Sequence, residues 1–163
     1  MERSTAPARR RGSLASADPE QTRAIGRALG RAAAPGTVLA LRGELGAGKT
    51  QLAKGVAEGL GVTTIVNSPT FVLMNEHLGR LRLYHVDAYR LSDPEEAVAA
   101  GLLDEREIDG VSVIEWADRL DGWLPLDRLD IGLAAGARPT DRRISWEAHG
   151  EAHARLAEAL EPT

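Results

Sequence analysis

The sequence predicts one α/β domain, and three features predict it. A short apolar run, Thr37-Val38-Leu39-Ala40-Leu41, passes through a glycine-rich turn into Leu52, Val56 and Leu60, which recur at helical spacing. A second β-branched run, Val111-Ser112-Val113-Ile114, ends on Glu115, and in open α/β sheets ligands gather at the carboxyl ends of strands. The third feature is size: 163 residues, 43% of them hydrophobic, can bury one sizeable core, whereas two domains would be cramped.

Composition excludes several classes. A net charge of −4 and a pI near 5.6 argue against a protein that coats nucleic acid through bulk positive charge. With no cysteine there is neither a disulfide framework nor a thiolate metal site. No apolar run approaches the roughly 18 residues a membrane helix needs. The basic start, Arg3 and Arg9-Arg10-Arg11, leads into Gly-Ser-Leu-Ala-Ser, which is no secretory core. A cytoplasmic location is expected. Residues 1–12, rich in Arg, Ala and Pro, read as a disordered basic leader, and residues 13–163 as the domain.

In chain order, Asp18 is a helix N-cap, Pro19 suits the first helical position and Gln21 sits where a capping box wants Glu or Gln. Ile25, Ala28, Leu29 and Ala32 share a face until Pro35-Gly36 ends the helix.

The turn after the first strand is Gly43-Glu44-Leu45-Gly46-Ala47-Gly48-Lys49-Thr50, which meets every fixed position of the phosphate-binding pattern G-x-x-x-x-G-K-[ST]. Its glycines let main-chain N–H groups approach phosphate oxygens, and Lys49 reaches the β- and γ-phosphates. Thr50 offers its hydroxyl to a magnesium ion, while the helix starting there points its positive dipole end at the same anion. The chain has eighteen arginines and two lysines, so a lysine in the one slot that demands it is informative. The helix closes near Gly61.

Thr64-Ile65-Val66 and Phe71-Val72-Leu73-Met74 are β-rich segments interrupted by Asn67-Ser68-Pro69-Thr70. That interruption follows the phosphate helix, so Thr70 and Ser68 are candidate γ-phosphate sensors. Leu81 to Asp87 reads as a strand paired with the preceding one through a turn near His77-Leu78-Gly79. Period two puts Leu81, Leu83, His85 and Asp87 on one face, with the acid at the strand end. Asp87 is a candidate metal ligand or water-orienting base, whereas His85 reads as a packed neutral histidine. Arg90 reads equally as a phosphate contact or a surface arginine.

Asp93, Pro94 and Glu96 start a short helix that Gly101 closes, and Asp104 to Gly110 reads as a charged connector. Glu115 can hold the ion beside Thr50, and either Asp87 or Glu115 positions the water in line with the γ-phosphate. Trp116 either covers the nucleotide base or fills core. Leu129–Leu133 and Arg143–Ala148 are two closing strands, and Glu151–Leu160 is a terminal helix with Leu156 and Leu160 inward.

Taken together, GELGAGKT, NSPTF, LYHVDAYRL, DPEE, VIEWADRL and LPLDRLDI resemble, in order and spacing, the bacterial TsaE (YjeE) family, from about Ala17 to Ile144. The resemblance implies a P-loop NTPase-like fold with a mixed parallel and antiparallel sheet flanked by helices. It implies ATP and magnesium as cofactors, and hydrolysis that is weak alone and stimulated by TsaD and TsaB partners. It also implies a role in making threonylcarbamoyladenosine in tRNA, with the tRNA met through the complex. By the same resemblance, the magnesium ligands are Thr50 and Glu115, the essential aspartate is Asp87, and the mobile loop is Ser68-Pro69-Thr70. Asp18 and an arginine of the last strands, Arg142 or Arg143, lie near the adenine. Gln51 departs from relatives, which usually carry Thr or Ser there, and the basic leader lies outside the likeness. Two other readings share the loop. One is a small-molecule kinase with a lid at Gly101–Gly110; the other is a scaffold that binds nucleotide without cleaving it. A signalling GTPase is disfavoured because neither lysine follows an asparagine.

Overall fold

A computed structural model describes residues 9–44, 46–66, 74–89, 91, 93, 95 and 109–161. Seven strands form one sheet in the order β1-β7-β6-β2-β5-β4-β3. They are β1 (Arg9–Ser16), β2 (Val38–Gly43), β3 (Met74–His77), β4 (Leu83–Asp87), β5 (Val111–Glu115), β6 (Arg128–Ala135) and β7 (Arg142–His149). Among the described residues the α-helices are α1 (Pro19–Ala32), α2 (Lys49–Gly59) and α3 (Glu151–Leu156). β6, β2, β5 and β4 run parallel; β7 and β1 extend the sheet antiparallel on one side, and β3 on the other. The expected mixed sheet is therefore present.

Parallel neighbours on both sides bury β2, so it reads as a continuous apolar run. Leu39 and Leu41 are fully enclosed with Leu52, Val56, Leu129 and Ile131. Each such side chain contributes roughly 2 kcal/mol of burial. The central parallel strands end on the same side, which brings the C-terminal residues Gly43, Asp87 and Glu115 to one edge of the sheet.

Three local expectations need correction. Arg9–Gly12, assigned to a disordered leader, belong to β1, which pairs with β7 from Arg9↔His149 to Ser16↔Arg142. Main-chain pairing along a sheet edge tolerates charge and needs little apolar periodicity, and Arg11 meets Glu147 at 3.2 Å. Gly12 is required there, since a Cβ would stand 2.5 Å from the Trp146 ring. Of the face expected for α1, Leu29 is enclosed and Ile25 packs on the core, but Ala32 is exposed, and Thr22, Gly26 and Gly30 complete the buried face. Thr64-Ile65-Val66 forms no strand, and Ile65 is 83% exposed.

The first helix begins as expected: Asp18 accepts the Gln21 N–H at 2.8 Å. Gln21 reaches back one residue further than a capping box, to the Ala17 N–H at 2.8 Å. The helix predicted from Asp93 lies largely outside the described residues, although Asp93 accepts the Glu95 N–H at 3.0 Å.

Candidate nucleotide site

The turn after β2 is built from three left-handed glycines, Gly43 (φ 149°), Gly46 (φ 80°) and Gly48 (φ 105°), the last being the residue before α2. At Gly43 a side chain is also excluded by space, because a Cβ would lie 2.5 Å from the Leu133 carbonyl oxygen. The chain thus turns its main chain, not side chains, toward the helix start. Lys49 is buried and donates to the carbonyls of Gly43 (2.6 Å) and Glu44 (2.8 Å), with its Nζ 3.9 Å from the centre of the Trp116 ring. Burial pushes its ammonium below the usual lysine value, against the pull of Glu115, Asp118, Asp87 and Glu44.

Thr50, one residue on, donates its hydroxyl to Glu115 Oε1 at 3.0 Å. The contact joins α2 to the end of β5, 65 residues away in sequence. Glu115 is 2% exposed, and its Oε2 lies within hydrogen-bond distance of Nε2 of the fully buried His85. Asp87 stands beside Glu115 in the β4–β5 register and accepts the Tyr89 N–H at 2.9 Å. Burial raises the Asp87 carboxyl above the usual carboxylate range; the Tyr89 N–H opposes this and Glu115 reinforces it. A hydroxyl and a carboxylate this close form a hard-oxygen pair that suits magnesium better than a softer metal.

A cleft of about 530 Å³ opens beside the loop, lined by Arg42, Gly43, Glu44, Trp116, Leu133 and Arg142 among others. Trp116 holds a left-handed backbone (φ 59°) and packs on Tyr89, ring centres 4.8 Å apart. It stands against Lys49 at the cleft wall and, half-buried, also packs on the core cluster of Val86, Ile114 and Leu120. Of the two arginines named from the last strands, Arg142 braces the loop, donating to the carbonyls of Ala47 and Gly46 at 3.0 Å each. Arg143 is exposed and lines a second cavity of about 510 Å³ with Ala17 and Gln21. The Asp18 side chain is engaged in capping α1. Gln51 is half-buried in the first turn of α2. Leu45, Ser68, Thr70 and Arg90 lie outside the described residues.

The structure therefore brings Lys49, Thr50, Glu115, Asp87 and Trp116 together; Arg143 lines the second cavity, which shares Ala135 and Arg142 with the first, and Asp18 follows Ala17 of its lining. Sequence reasoning missed the His85 contact with Glu115. The available signal was period two, which set His85 on the Asp87 face.

A family model described as threonylcarbamoyl adenosine biosynthesis protein TsaE matches residues 16–144. The chain is 44% identical over 144 residues to the tRNA threonylcarbamoyladenosine biosynthesis protein TsaE of Bacillus subtilis (strain 168), covering 88% of this chain and 89% of that protein. To the protein of the same name from Mycobacterium leprae (strain TN) it is 42% identical over 138 residues, 78% of this chain and 85% of the other. A solved structure titled "Crystal structure of Bacillus subtilus YdiB" superposes with a TM-score of 0.79 at 37% identity, over 95% of this chain and 97% of that one. With a family match across most of its length, and a phosphate-loop threonine joined to the acid of β5, the chain belongs to the TsaE family of threonylcarbamoyl adenosine biosynthesis proteins.

Proposed function

We propose that this chain binds ATP with magnesium and hydrolyses it to ADP and phosphate, in support of threonylcarbamoyladenosine formation in tRNA. It works with TsaD and TsaB partners and meets tRNA through them. The observation that carries the reading is the Thr50–Glu115 contact, which sets an oxygen pair beside the glycine turn.

Main-chain N–H groups of residues 43–50 and the start of α2 hold the phosphates. Lys49 exchanges the Gly43 and Glu44 carbonyls for β- and γ-phosphate oxygens, which are better acceptors for a buried ammonium. Thr50 and Glu115 would hold the magnesium ion, whose charge offsets that developing between the β- and γ-phosphates. Asp87 orients the attacking water, since Glu115 already faces Thr50 and His85. Thr70 senses the γ-phosphate, so that its loop reports hydrolysis to the partners. That last role rests on sequence position alone.

The test is a Lys49→Ala variant assayed for ATP binding and for phosphate release, with and without partner proteins. Loss of both supports the site, and wild-type values overturn it. Transfer of labelled γ-phosphate to a small metabolite rather than to water would replace hydrolysis with kinase chemistry.

A further inference from the structure

His85 lies in β4 two residues before Asp87, is fully enclosed, and faces across the β4–β5 pairing. Its ring has one contact of consequence. Nε2 meets Glu115 Oε2, while Nδ1 is buried and has no hydrogen-bond partner among the described residues. A carboxylate only accepts, so Nε2 carries the hydrogen that meets Glu115.

Glu115 is enclosed too, and its two oxygens are turned in different directions, Oε1 to the Thr50 hydroxyl and Oε2 to His85. Removing the ring N–H takes from this enclosed carboxylate the donor that holds Oε2, and with it a constraint that keeps Oε1 turned to Thr50. We propose that His85 is a positioning residue: by holding Glu115 Oε2 it keeps Oε1 beside Thr50, and so sets how tightly this oxygen pair takes a divalent cation with the nucleotide. The inference rests on the magnesium–nucleotide reading given above. Partners of this kind, which touch a ligand rather than the metal, commonly change metal affinity by about 10–100-fold when lost.

The experiment is equilibrium titration of the full chain with a fluorescent ATP analogue, in EDTA and across a magnesium series. His85→Leu removes the donor, and His85→Gln places an amide N–H near the position of Nε2. The Leu variant is expected to need about 10–100-fold more magnesium for half-maximal effect. Its affinity in EDTA should stay unchanged, and the Gln variant should lie close to wild type. A wild-type magnesium response in His85→Leu overturns the inference, as does an equal shift in both variants or an equal loss with and without magnesium. Should His85→Leu not fold, His85→Asn, whose amide stops short of Glu115, takes its place with the same expectations. Absence of any magnesium response in the wild-type chain would instead overturn the nucleotide-site reading itself, and this inference with it.

Discussion

Asp87 and Glu115 are side-by-side acids at the ends of adjacent parallel strands, and their surroundings differ. Glu115 faces Thr50 and His85, whereas Asp87 is held by a main-chain N–H from Tyr89 and has its carboxyl raised by burial. A carboxyl moved upward toward working pH is the better water-orienting base. Asp87→Asn should therefore keep ATP affinity within about threefold and lower turnover on the order of 10²–10⁴-fold. Binding titration and single-turnover phosphate release measure the two separately, and a variant that hydrolyses at the wild-type rate rejects the assignment. Thr50 and Glu115 could be picked out in the sequence because each is the terminal residue of a strong local pattern, one a fixed loop, the other a β-branched run. Arg142 and Arg143 could not be separated that way. Adjacent strand residues face opposite ways, and the alternation of Ile144, Trp146 and Ala148 puts Arg142 on the enclosed face of β7, where the structure turns it onto the loop carbonyls.

At the scale of elements, the start of α2 is placed by its contact with α1. Two glycines four apart on each helix, Gly26 and Gly30 against Gly55 and Gly59, let the backbones approach until side chains have no room. A Cβ at Gly55 would stand 2.1 Å from the Arg23 carbonyl oxygen. Replacing a helical glycine by alanine ordinarily gains about 0.5–1 kcal/mol. Here, forcing the helices apart should outweigh that gain, because overpacking costs about 1–3 kcal/mol. Gly55→Ala is expected to lower unfolding stability in urea and, since α2 begins at Lys49, to weaken ATP binding as well. Unchanged or raised stability would show that the helices can separate freely. The same contact explains why apolar period shows only part of the inward face of α1. That period points to Ile25, Ala28, Leu29 and Ala32, of which Leu29 is enclosed and Ile25 packs on the core, whereas the closest approach runs along a glycine stripe that carries no hydrophobic signal. Strand β1 escaped notice for a related reason, because its place is fixed by main-chain pairing with β7, which arginines do not disturb.

Across the whole molecule, the C-terminal helix returns to the strand that feeds the phosphate loop. His153 of α3 is buried, and its Nε2 accepts the Val38 N–H at 3.0 Å, at the first residue of β2. An accepting Nε2 means a neutral ring, and protonation would both bury a charge and break that bond. Burial accordingly pushes His153 below the ordinary histidine value of 6.5, with Asp127 pulling it up and His149 pushing it down. Because the folded state resists a proton that the unfolded chain accepts, stability from this group is present above pH 6.5. It declines as pH falls below 6.5 toward the depressed folded value. His77, lowered mainly by burial, acts with the same sign. Asp130 is held below the usual 3.8 despite its burial, by Arg128, Arg42 and His149, so its own loss comes at more acid pH, as pH falls from about 3.8 toward its lowered value. His153 and His77 should thus lower the melting temperature between pH 7.5 and 5, ahead of the carboxylate transition, with the raised Asp87 carboxyl acting in the opposite sense. His153→Gln, whose side-chain oxygen can still accept the Val38 N–H but cannot titrate, should show a shallower fall. Thermal unfolding of both proteins across that range decides the matter, and a variant that loses stability as steeply as wild type would remove His153 from the account.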